Sequence, residues 1–473
     1  MTYLALGTLA VLLLSTSASA QREPICLHPD NPHYFLFRGE PTVLVTSGEH
    51  YGAVLNLDFD YARYLQTLHR DGMNNTRLFV GSYCEPDGAF RIARNTLAPA
   101  AGRFICPWAR SGTPGYANGG NKFDLSRWDE AYFHRLRDFC AQASDANVVV
   151  EVNLFCPFYG DEQWALSPMN AANNTNGIGT VDKEAAYSLD RSGGLLQVQE
   201  EMTRKIVAEL RDLDNLYFEI MNEPYIKSVP EAWQRHIAEV IAAAEEGMEH
   251  RHLISQNIAN GSAKVESPHP AVSILNFHYA WPPRAVELNY GLNRVIGDNE
   301  TGFKGTGDAH YRKEGWAFIV AGGALYNNLD YSFTVGHEDG TFDYPATQPG
   351  GGGPKLRRQL GILRDFIHGC DFLRMAPGRD LVKAELPQGV LLQCLAEPGK
   401  QYAVYLCRES DEPQATSCTL RIDLPPGQYR VQWLDPVSGE TPEERTLQHE
   451  GQGLSLTSPE FTQDLALSLM RRP

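Results

Sequence analysis

The sequence predicts an α/β protein in which a (β/α)₈ barrel of the TIM type is followed by a small all-β sandwich. The first observation is the length of 473 residues, which suits one large domain and one smaller domain. The second is the alternation, from about residue 42, of short β-branched runs with amphipathic stretches. The third is that, after about residue 373, apolar and polar residues alternate with a period of two. Eight strands that alternate with helices form a parallel sheet, and eight such strands close naturally into a barrel.

The runs predicted as barrel strands are short and rich in β-branched and aromatic residues. In chain order they are Thr42–Thr46, Asn75–Val80, Asn147–Asn153, Leu216–Met221, Leu253–Gln256, Val272–Phe277, Arg294–Gly297 and Ala324–Leu329. Helical patterns lie at Asp58–Asp71, Ser126–Ala143, Val198–Leu213, after Pro230, and at Leu356–Ile367. The glycine run 350–353 precedes the last pattern, so we interpret it as the final strand-to-helix loop.

The C-terminal hundred residues have the pattern of short antiparallel strands. Tyr429, Val431 and Trp433 alternate with polar residues, and the sequence Pro425-Pro426-Gly427 is a turn signal. This pattern predicts a β-sandwich. We therefore divide the chain into residues 1–20, a signal peptide, residues 21–372, the barrel, and residues 373–473, the sandwich.

The first twenty residues predict export. Leu4 to Leu14 form an apolar run that is short for a membrane span, and Ala18-Ser19-Ala20 is a small-x-small ending that suits signal peptidase. Cleavage after Ala20 makes the protein secreted or periplasmic. The alternative is a buried N-terminal helix, because Met1-Thr2-Tyr3 carries no Lys or Arg.

Composition excludes several classes of partner. The net charge of −17 repels phosphate backbones and anionic membrane surfaces, so we expect no nucleic acid and no membrane insertion. The motifs GxSxG, HExxH, GxxxxGK and a GxGxxG after the first strand are absent. We expect no cofactor and no metal. Cys84 and Cys106 lie in one long loop and form either a disulfide or two buried thiols.

Two predicted strands are followed by a glutamate, and these carry the predicted chemistry. Asn222-Glu223-Pro224 follows the fourth strand, and Glu300 follows the seventh. These strands lie nearly opposite each other in an eight-stranded barrel, so their carboxylates can flank one bond. Paired carboxylates of this kind suit glycosidic cleavage, in which an ionised Glu300 would keep Glu223 protonated near neutral pH. The alternative is that either glutamate caps a helix or lies on the surface.

These motifs resemble the retaining glycoside hydrolases of clan A, in particular the cellulase-like family 5. The resemblance implies that Glu223 is the general acid/base, Glu300 the nucleophile and Asn222 the donor to the sugar 2-hydroxyl. It also implies that Arg77, in the second strand, orients the nucleophile, and that His278, in the sixth, lines the substrate cleft. The alternatives are a structural ion pair for Arg77 and a core histidine for His278.

The sequence departs from this family at several substrate-binding positions. The family's sixth strand has His-x-Tyr, whereas here Tyr279 is adjacent to His278 and faces away unless the strand bulges. The third strand ends in Asn153 where His is common, and no Trp follows the eighth. Further candidates for substrate binding are Glu49 and His50 after the first strand, and Trp108 in an aromatic loop. Glu49 and His50 are equally consistent with a structural hydrogen-bond pair.

Together the residues predict a secreted retaining glycoside hydrolase that cleaves β-glycosidic linkages of poly- or oligosaccharides, with carbohydrate as its partner. A non-catalytic carbohydrate-binding barrel is the alternative, and transglycosylation by the same residues is a third reading. The sugar, the linkage, endo or exo action and the oligomeric state are left open by the sequence.

Overall fold

The computed structural model describes residues 23–472, which form a (β/α)₈ barrel followed by antiparallel sheets. The predicted fold class is therefore confirmed. The predicted signal peptide, residues 1–20, lies outside the described residues. Among the described residues, no helix combines the length and the apolar composition needed to cross a bilayer.

Eight parallel strands form the barrel, and each of them overlaps a predicted run. Numbered in chain order with the other strands of the molecule, they are β4 (Leu44–Gly48), β5 (Asn75–Phe79), β8 (Val149–Asn153), β9 (Leu216–Glu219), β10 (Ile254–Asn260), β11 (Ile274–His278), β12 (Val295–Thr301) and β13 (Leu325–Leu329). Their order in the sheet is β4-β13-β12-β11-β10-β9-β8-β5. The seventh strand runs four residues beyond its predicted end, so that Glu300 lies within it.

The side chain of Asn74 helps to close the barrel between the first and second strands. Its Oδ1 accepts a hydrogen bond from the Val45 amide at 2.8 Å, and its Nδ2 donates to the Val43 carbonyl at 2.9 Å. The backbone of Asn74 also donates to the Val45 carbonyl. An asparagine therefore replaces part of the ladder of hydrogen bonds that β4 and β5 lack.

Helices separate most of the barrel strands. They are α1 (Tyr61–Arg70), α2 (Glu130–Asp145), α3 (Asp161–Leu166), α4 (Leu195–Leu210), α5 (Glu231–Ala244), α6 (Arg284–Asn289), α7 (Asp308–Val320) and α8 (Pro354–His368). As predicted, the glycine run 350–353 lies between β13 and α8.

The predicted start of the second helix at Ser126 is wrong. Helix α2 begins at Glu130, because the Asp129 carboxylate accepts hydrogen bonds from the amides of Ala131 and Tyr132 and caps the helix. Ser126 belongs instead to a hairpin of β6 (Trp108–Pro114) and β7 (Asn121–Trp128) within the loop after β5. A second missed element is the antiparallel sheet of β1 (Cys26–His28), β2 (Asn31–Phe37) and β3 (Glu40–Thr42) before the barrel.

The C-terminal region is a sandwich of two antiparallel sheets. One has the order β14-β16-β17-β22-β19-β20, and the other has the order β15-β18-β21. The strands are β14 (Ala376–Pro377), β15 (Val382–Glu385), β16 (Val390–Glu397), β17 (Gln401–Arg408), β18 (Thr419–Leu424), β19 (Gly427–Leu434), β20 (Glu443–His449), β21 (Gln452–Thr457) and β22 (Asp464–Arg471). Tyr429, Val431 and Trp433 are buried between the sheets, as their alternation predicts.

A buried ion pair and the hydrogen bonds of a buried lysine join the sandwich to helix α7 of the barrel. The Arg312 guanidinium donates to both carboxylate oxygens of Asp464 at 2.9 Å, and the Lys313 ammonium donates to the carbonyls of Arg408 and Ser410. Both cations are almost completely buried. The sandwich is therefore bound to α7, the helix that precedes the eighth barrel strand, β13.

All nine cysteines lie within the described residues and are unpaired thiols, so the suggested Cys84–Cys106 disulfide is not formed. The Cys84 sulfur lies 3.9 Å from the Tyr116 hydroxyl, and the Cys106 thiol donates to the Trp108 carbonyl. Burial raises the pKa of both thiols. They pack as small apolar groups.

Candidate active site

A cavity of about 470 Å³ opens at the carboxyl ends of the barrel strands, where barrels of this type carry their functional groups. Five of the predicted site residues line it: His50, Asn222, Glu223, Tyr279 and Glu300. Arg77 and His278 are buried directly behind the two glutamates and bond to them. The structure thus brings seven of the ten predicted site residues into one cluster.

Glu223 lies four residues beyond the end of β9, in a backbone conformation that points its side chain into the cavity. Its φ of 39° is in the left-handed region, which non-glycine residues rarely adopt, and its amide donates to Oδ1 of Asn257 at 3.0 Å. Tyr159 donates its hydroxyl to Oε2 of Glu223 at 2.5 Å. The Nδ1 atom of His278 lies 3.1 Å from Oε1.

The sequence predicts that Glu300 keeps Glu223 protonated, but the contacts of Glu223 act in the opposite direction. Burial acts to raise its pKa, but the hydrogen bonds from His278 and Tyr159 and the charge of Arg77 outweigh burial and lower it. Sequence reasoning considered only repulsion from Glu300 and did not include these donors. These contacts therefore favour the ionised form of Glu223.

Glu300 lies in β12 and receives more hydrogen bonds than Glu223. The Tyr51 hydroxyl donates to Oε2 at 2.9 Å, the Tyr279 hydroxyl donates to Oε1 at 2.5 Å, and the Arg77 guanidinium donates to Oε2 at 3.2 Å. Nδ1 of His278 lies 3.5 Å from Oε1. These donors orient the carboxyl group of Glu300 toward the cavity that it lines.

Tyr279 reaches the site although it is adjacent to His278. Strand β11 ends at His278, and Tyr279 has a φ of 52°, which turns its side chain back toward the cavity. The pairing of β11 with β12 also shifts by one residue, so that His278 lies opposite Glu300 and Asn299 is the extra residue. The bulge is therefore on β12 and not on β11, and the left-handed backbone at Tyr279 turns the Tyr279 side chain toward the cavity.

Arg77 connects Glu300 and Asn222 to the interior of the barrel. Its guanidinium donates to the Glu219 carboxylate through two nitrogens, to Oδ1 of Asn222 at 2.7 Å and to Glu300. Oε2 of Glu151 lies 3.8 Å away, and burial together with the charge of Glu219 raises the pKa of Glu151. A single buried cation therefore orients Asn222 and Glu300 while it neutralises Glu219.

Three predicted substrate-binding residues are not brought to the cavity. Glu49 is buried and accepts hydrogen bonds from the amides of Gly52 and Ala53, so it stabilises the turn after β4. The Asn153 amide group donates to the Phe155 carbonyl within the barrel. Trp108 is completely buried at the start of the β6–β7 hairpin. A position at a strand end or in an aromatic loop indicates the region of the site. Packing against residues distant in sequence decides which side chains line the cavity.

Tyr51, Tyr159 and Glu85 are among the cavity residues that were not predicted. Tyr51 donates to Glu300 and Tyr159 to Glu223, and Glu85 lines the same cavity, 4.0 Å from Nε2 of His50. Burial raises the pKa of Glu85 to about 7. All three lie in loops after the first three barrel strands. This position alone does not identify them in the sequence, because many other polar residues share it.

Glu223, His278 and Glu300 present ligand atoms within 4.8 Å of one another, which is the one grouping of described residues with a geometry that could hold a metal ion. The same distances suit hydrogen bonding. The Nδ1 atom of His278 faces Glu223, and its Nε2 is buried with no hydrogen-bond partner among the described residues.

No protein-family model and no curated protein matches the chain. Solved structures share its fold. A candidate glycoside hydrolase from Bacteroides vulgatus ATCC 8482 gives a TM-score of 0.64 at 14% identity, over 95% of this chain and 83% of that chain. A structure described as a glycoside hydrolase gives 0.63 at 12% identity, over 95% and 97% of the two chains. A family 5 glycoside hydrolase from the same Bacteroides strain gives 0.62 at 11% identity, over 95% and 93%. The barrel and its C-terminal sandwich therefore form a fold that this chain shares with solved glycoside hydrolase structures.

Proposed function

We propose that the protein is a retaining β-glycosidase that hydrolyses O-glycosidic bonds by double displacement. The observation that carries this proposal is the pair Glu223 and Glu300, which present carboxylate oxygens within 4.8 Å of each other across the cavity. A separation of about 5 Å is that of retaining enzymes, because an inverting enzyme needs room for a water molecule between the two groups.

The different surroundings of the two carboxylates support their roles. Glu300 accepts hydrogen bonds from two tyrosine hydroxyls and from Arg77, which orient its carboxyl group as a nucleophile requires. Glu223 has fewer donors and lies beside Asn222, whose amide nitrogen donates to Tyr159 at 2.8 Å. In the first step Glu300 bonds to the anomeric carbon while the glycosidic C–O bond breaks and the protonated form of Glu223, whose fraction grows as the pH falls, gives its proton to the leaving oxygen. In the second step Glu223 takes a proton from water, which displaces Glu300 from the sugar.

The stereochemistry of the product tests the proposal directly. Proton NMR of a β-glycoside digest should show the β-anomer of the released sugar first, with the α-anomer appearing later by mutarotation. An α-anomer formed first would show inversion and would refute the covalent intermediate. No turnover of any member of a panel of aryl β-glycosides would favour a non-catalytic carbohydrate-binding protein.

Glu223→Ala should make the rate depend on the leaving group. Substrates with good leaving groups need no protonation, so 2,4-dinitrophenyl glycosides should keep most of their glycosylation rate, while alkyl glycosides should lose about 10²–10⁴-fold, the usual contribution of a general acid. The measurement is kcat/KM for both substrates. Equal loss on the two substrates would contradict the acid role of Glu223.

Tyr159→Phe should shift the pH dependence. The variant keeps the ring but removes one donor to the Glu223 carboxylate, so the pKa of Glu223 should rise. Because glycosylation needs protonated Glu223, the basic limb of kcat/KM should move to higher pH. Tyr225→Phe is the matched control, since the Tyr225 hydroxyl donates to Asn260. An unchanged basic limb in Tyr159→Phe would contradict the assignment.

The proposal includes export and a carbohydrate partner. Export rests on Leu4 to Leu14 and Ala18-Ser19-Ala20, and the carbohydrate partner rests on the carboxylate pair and on the fold shared with glycoside hydrolases.

A further inference from the structure

Three exposed apolar side chains surround the mouth of the cavity. Phe90, Ile226 and Phe303 are 40%, 43% and 38% exposed and all line the cavity. They are three of the seven large hydrophobic side chains that are exposed in residues 23–472. Single exposed apolar residues are ordinary, but three of them at one opening mark a binding surface.

Each of the three is placed next to the catalytic pair. Ile226 lies three residues after Glu223, in the short helical turn Pro224–Lys227. Phe303 lies three residues after Glu300 and packs edge-on against Tyr279. Phe90 packs edge-on against Tyr159, the hydroxyl donor to Glu223, with ring centroids 5.3 Å apart.

The position of the acid identifies the part of the substrate that meets this surface. Glu223 protonates the leaving oxygen, so the group attached to that oxygen passes Ile226, which shares the loop of Glu223, and Phe90, which contacts its hydrogen-bond partner. A sugar in this place would need hydrogen-bond partners for its hydroxyls, because burying them unpaired is costly. The exposed side chains of Ile226 and Phe90 provide none, whereas they gain free energy when an apolar group covers them.

We propose that the leaving group of the substrate is uncharged and apolar, an aryl or alkyl alcohol, in place of the carbohydrate leaving group expected from the sequence. This inference rests on the proposed glycosidase function. A cavity of about 470 Å³ is of the size that holds one small ligand, such as a single sugar unit with an apolar substituent.

The test compares methyl, hexyl and benzyl β-glycosides of each sugar accepted by the protein, with the matching disaccharide as the polar comparison. The three alcohols have similar acidity, so differences in kcat/KM report binding of the leaving group and not its chemistry. We expect kcat/KM for the hexyl glycoside to exceed that for the methyl glycoside by about fourfold for each methylene that leaves water. A larger gain for benzyl than for hexyl would identify the source as an aryl alcohol, and the reverse as an alkyl alcohol.

Substitutions at the mouth should remove this preference. Ile226→Asn and Phe90→Asn should lower the hexyl-to-methyl ratio, and asparagine suits the left-handed φ of 52° at position 90. Leu288→Asn is the matched control, because Leu288 is similarly exposed on α6 but does not line the cavity. It should leave the ratio unchanged. An unchanged ratio in Ile226→Asn and Phe90→Asn would overturn the inference.

Calorimetry separates failure of this inference from failure of the proposed function. The hexyl glycoside should bind with a more negative heat-capacity change than the methyl glycoside, whether or not it is hydrolysed. Binding of this kind without turnover of any glycoside would refute the glycosidase and keep the apolar site. Turnover with equal kcat/KM for methyl and hexyl glycosides, or with a preference for the disaccharide, would keep the glycosidase and overturn the apolar leaving group. Absence of both binding and turnover would overturn both.

Discussion

Glu300→Ala should reduce hydrolysis of β-glycosides by about 10⁴-fold or more, a loss on the scale seen when the nucleophile of a covalent mechanism is removed. Added azide should restore turnover of activated aryl glycosides. The anion occupies the space left by the carboxylate, bonds to the anomeric carbon as the C–O bond breaks, and gives an α-glycosyl azide. Mass spectrometry and NMR identify this product.

Glu85→Ala is the matched control for this experiment, because Glu85 is another carboxylate that lines the same cavity and its truncation also leaves space for the anion. It lacks the contacts with Tyr51, Tyr279 and Arg77 that orient Glu300, so its variant should give no azide adduct. A fully active Glu300→Ala protein, or an azide adduct formed only in Glu85→Ala, would refute the assignment of the nucleophile.

Arg77→Met should destabilise the protein by about 3–5 kcal/mol, the cost of leaving a buried charge without its partner. The guanidinium is completely buried and bonds to Glu219, Asn222 and Glu300, so its removal leaves the Glu219 carboxylate in the barrel interior without a cation. Chemical unfolding at constant pH measures the change in the free energy of unfolding. The free energy of unfolding of Arg77→Lys should lie between those of the unsubstituted protein and Arg77→Met, because lysine keeps the positive charge but lacks the planar set of guanidinium donors.

The control for burial is Arg137→Met. Arg137 pairs with Asp212 through two nitrogens, but the side chains are 41% and 49% exposed, so its loss should cost only about 0–1 kcal/mol. Combining Arg77→Met with Glu219→Gln should recover part of the lost stability, since an amide at position 219 needs no cation. A change in Arg77→Met as small as that in Arg137→Met would show that the network contributes little.

Several features of this protein follow from local sequence. Residues 149–153 and 216–219 are short, buried runs in which apolar side chains predominate, so their strand conformation can be predicted from composition. Alternation at Tyr429, Val431 and Trp433 likewise predicts a strand with one buried face. The order of strands along the chain then places Glu223 and Glu300 at the same end of one barrel, which is why the candidate pair could be identified.

Other features depend on contacts between residues far apart in the chain. Tyr159 and Glu223 are 64 positions apart, and only their meeting shows that the pKa of Glu223 is lowered. The amides of Gly52 and Ala53 donate to the Glu49 carboxylate inside a turn, and packing buries Trp108. Neither the Glu49 nor the Trp108 side chain therefore reaches the cavity.

The sequence by itself determined the alternation of strands and helices, the change to a sandwich and the two acidic side chains at strand ends, because each depends on the residue types within a short segment. The tertiary structure alone decided which neighbours donate to each carboxylate, how Tyr279 turns into the site and that apolar side chains surround its mouth. These depend on a bulge, a left-handed turn and loop packing, whose free energies come from groups distant in sequence.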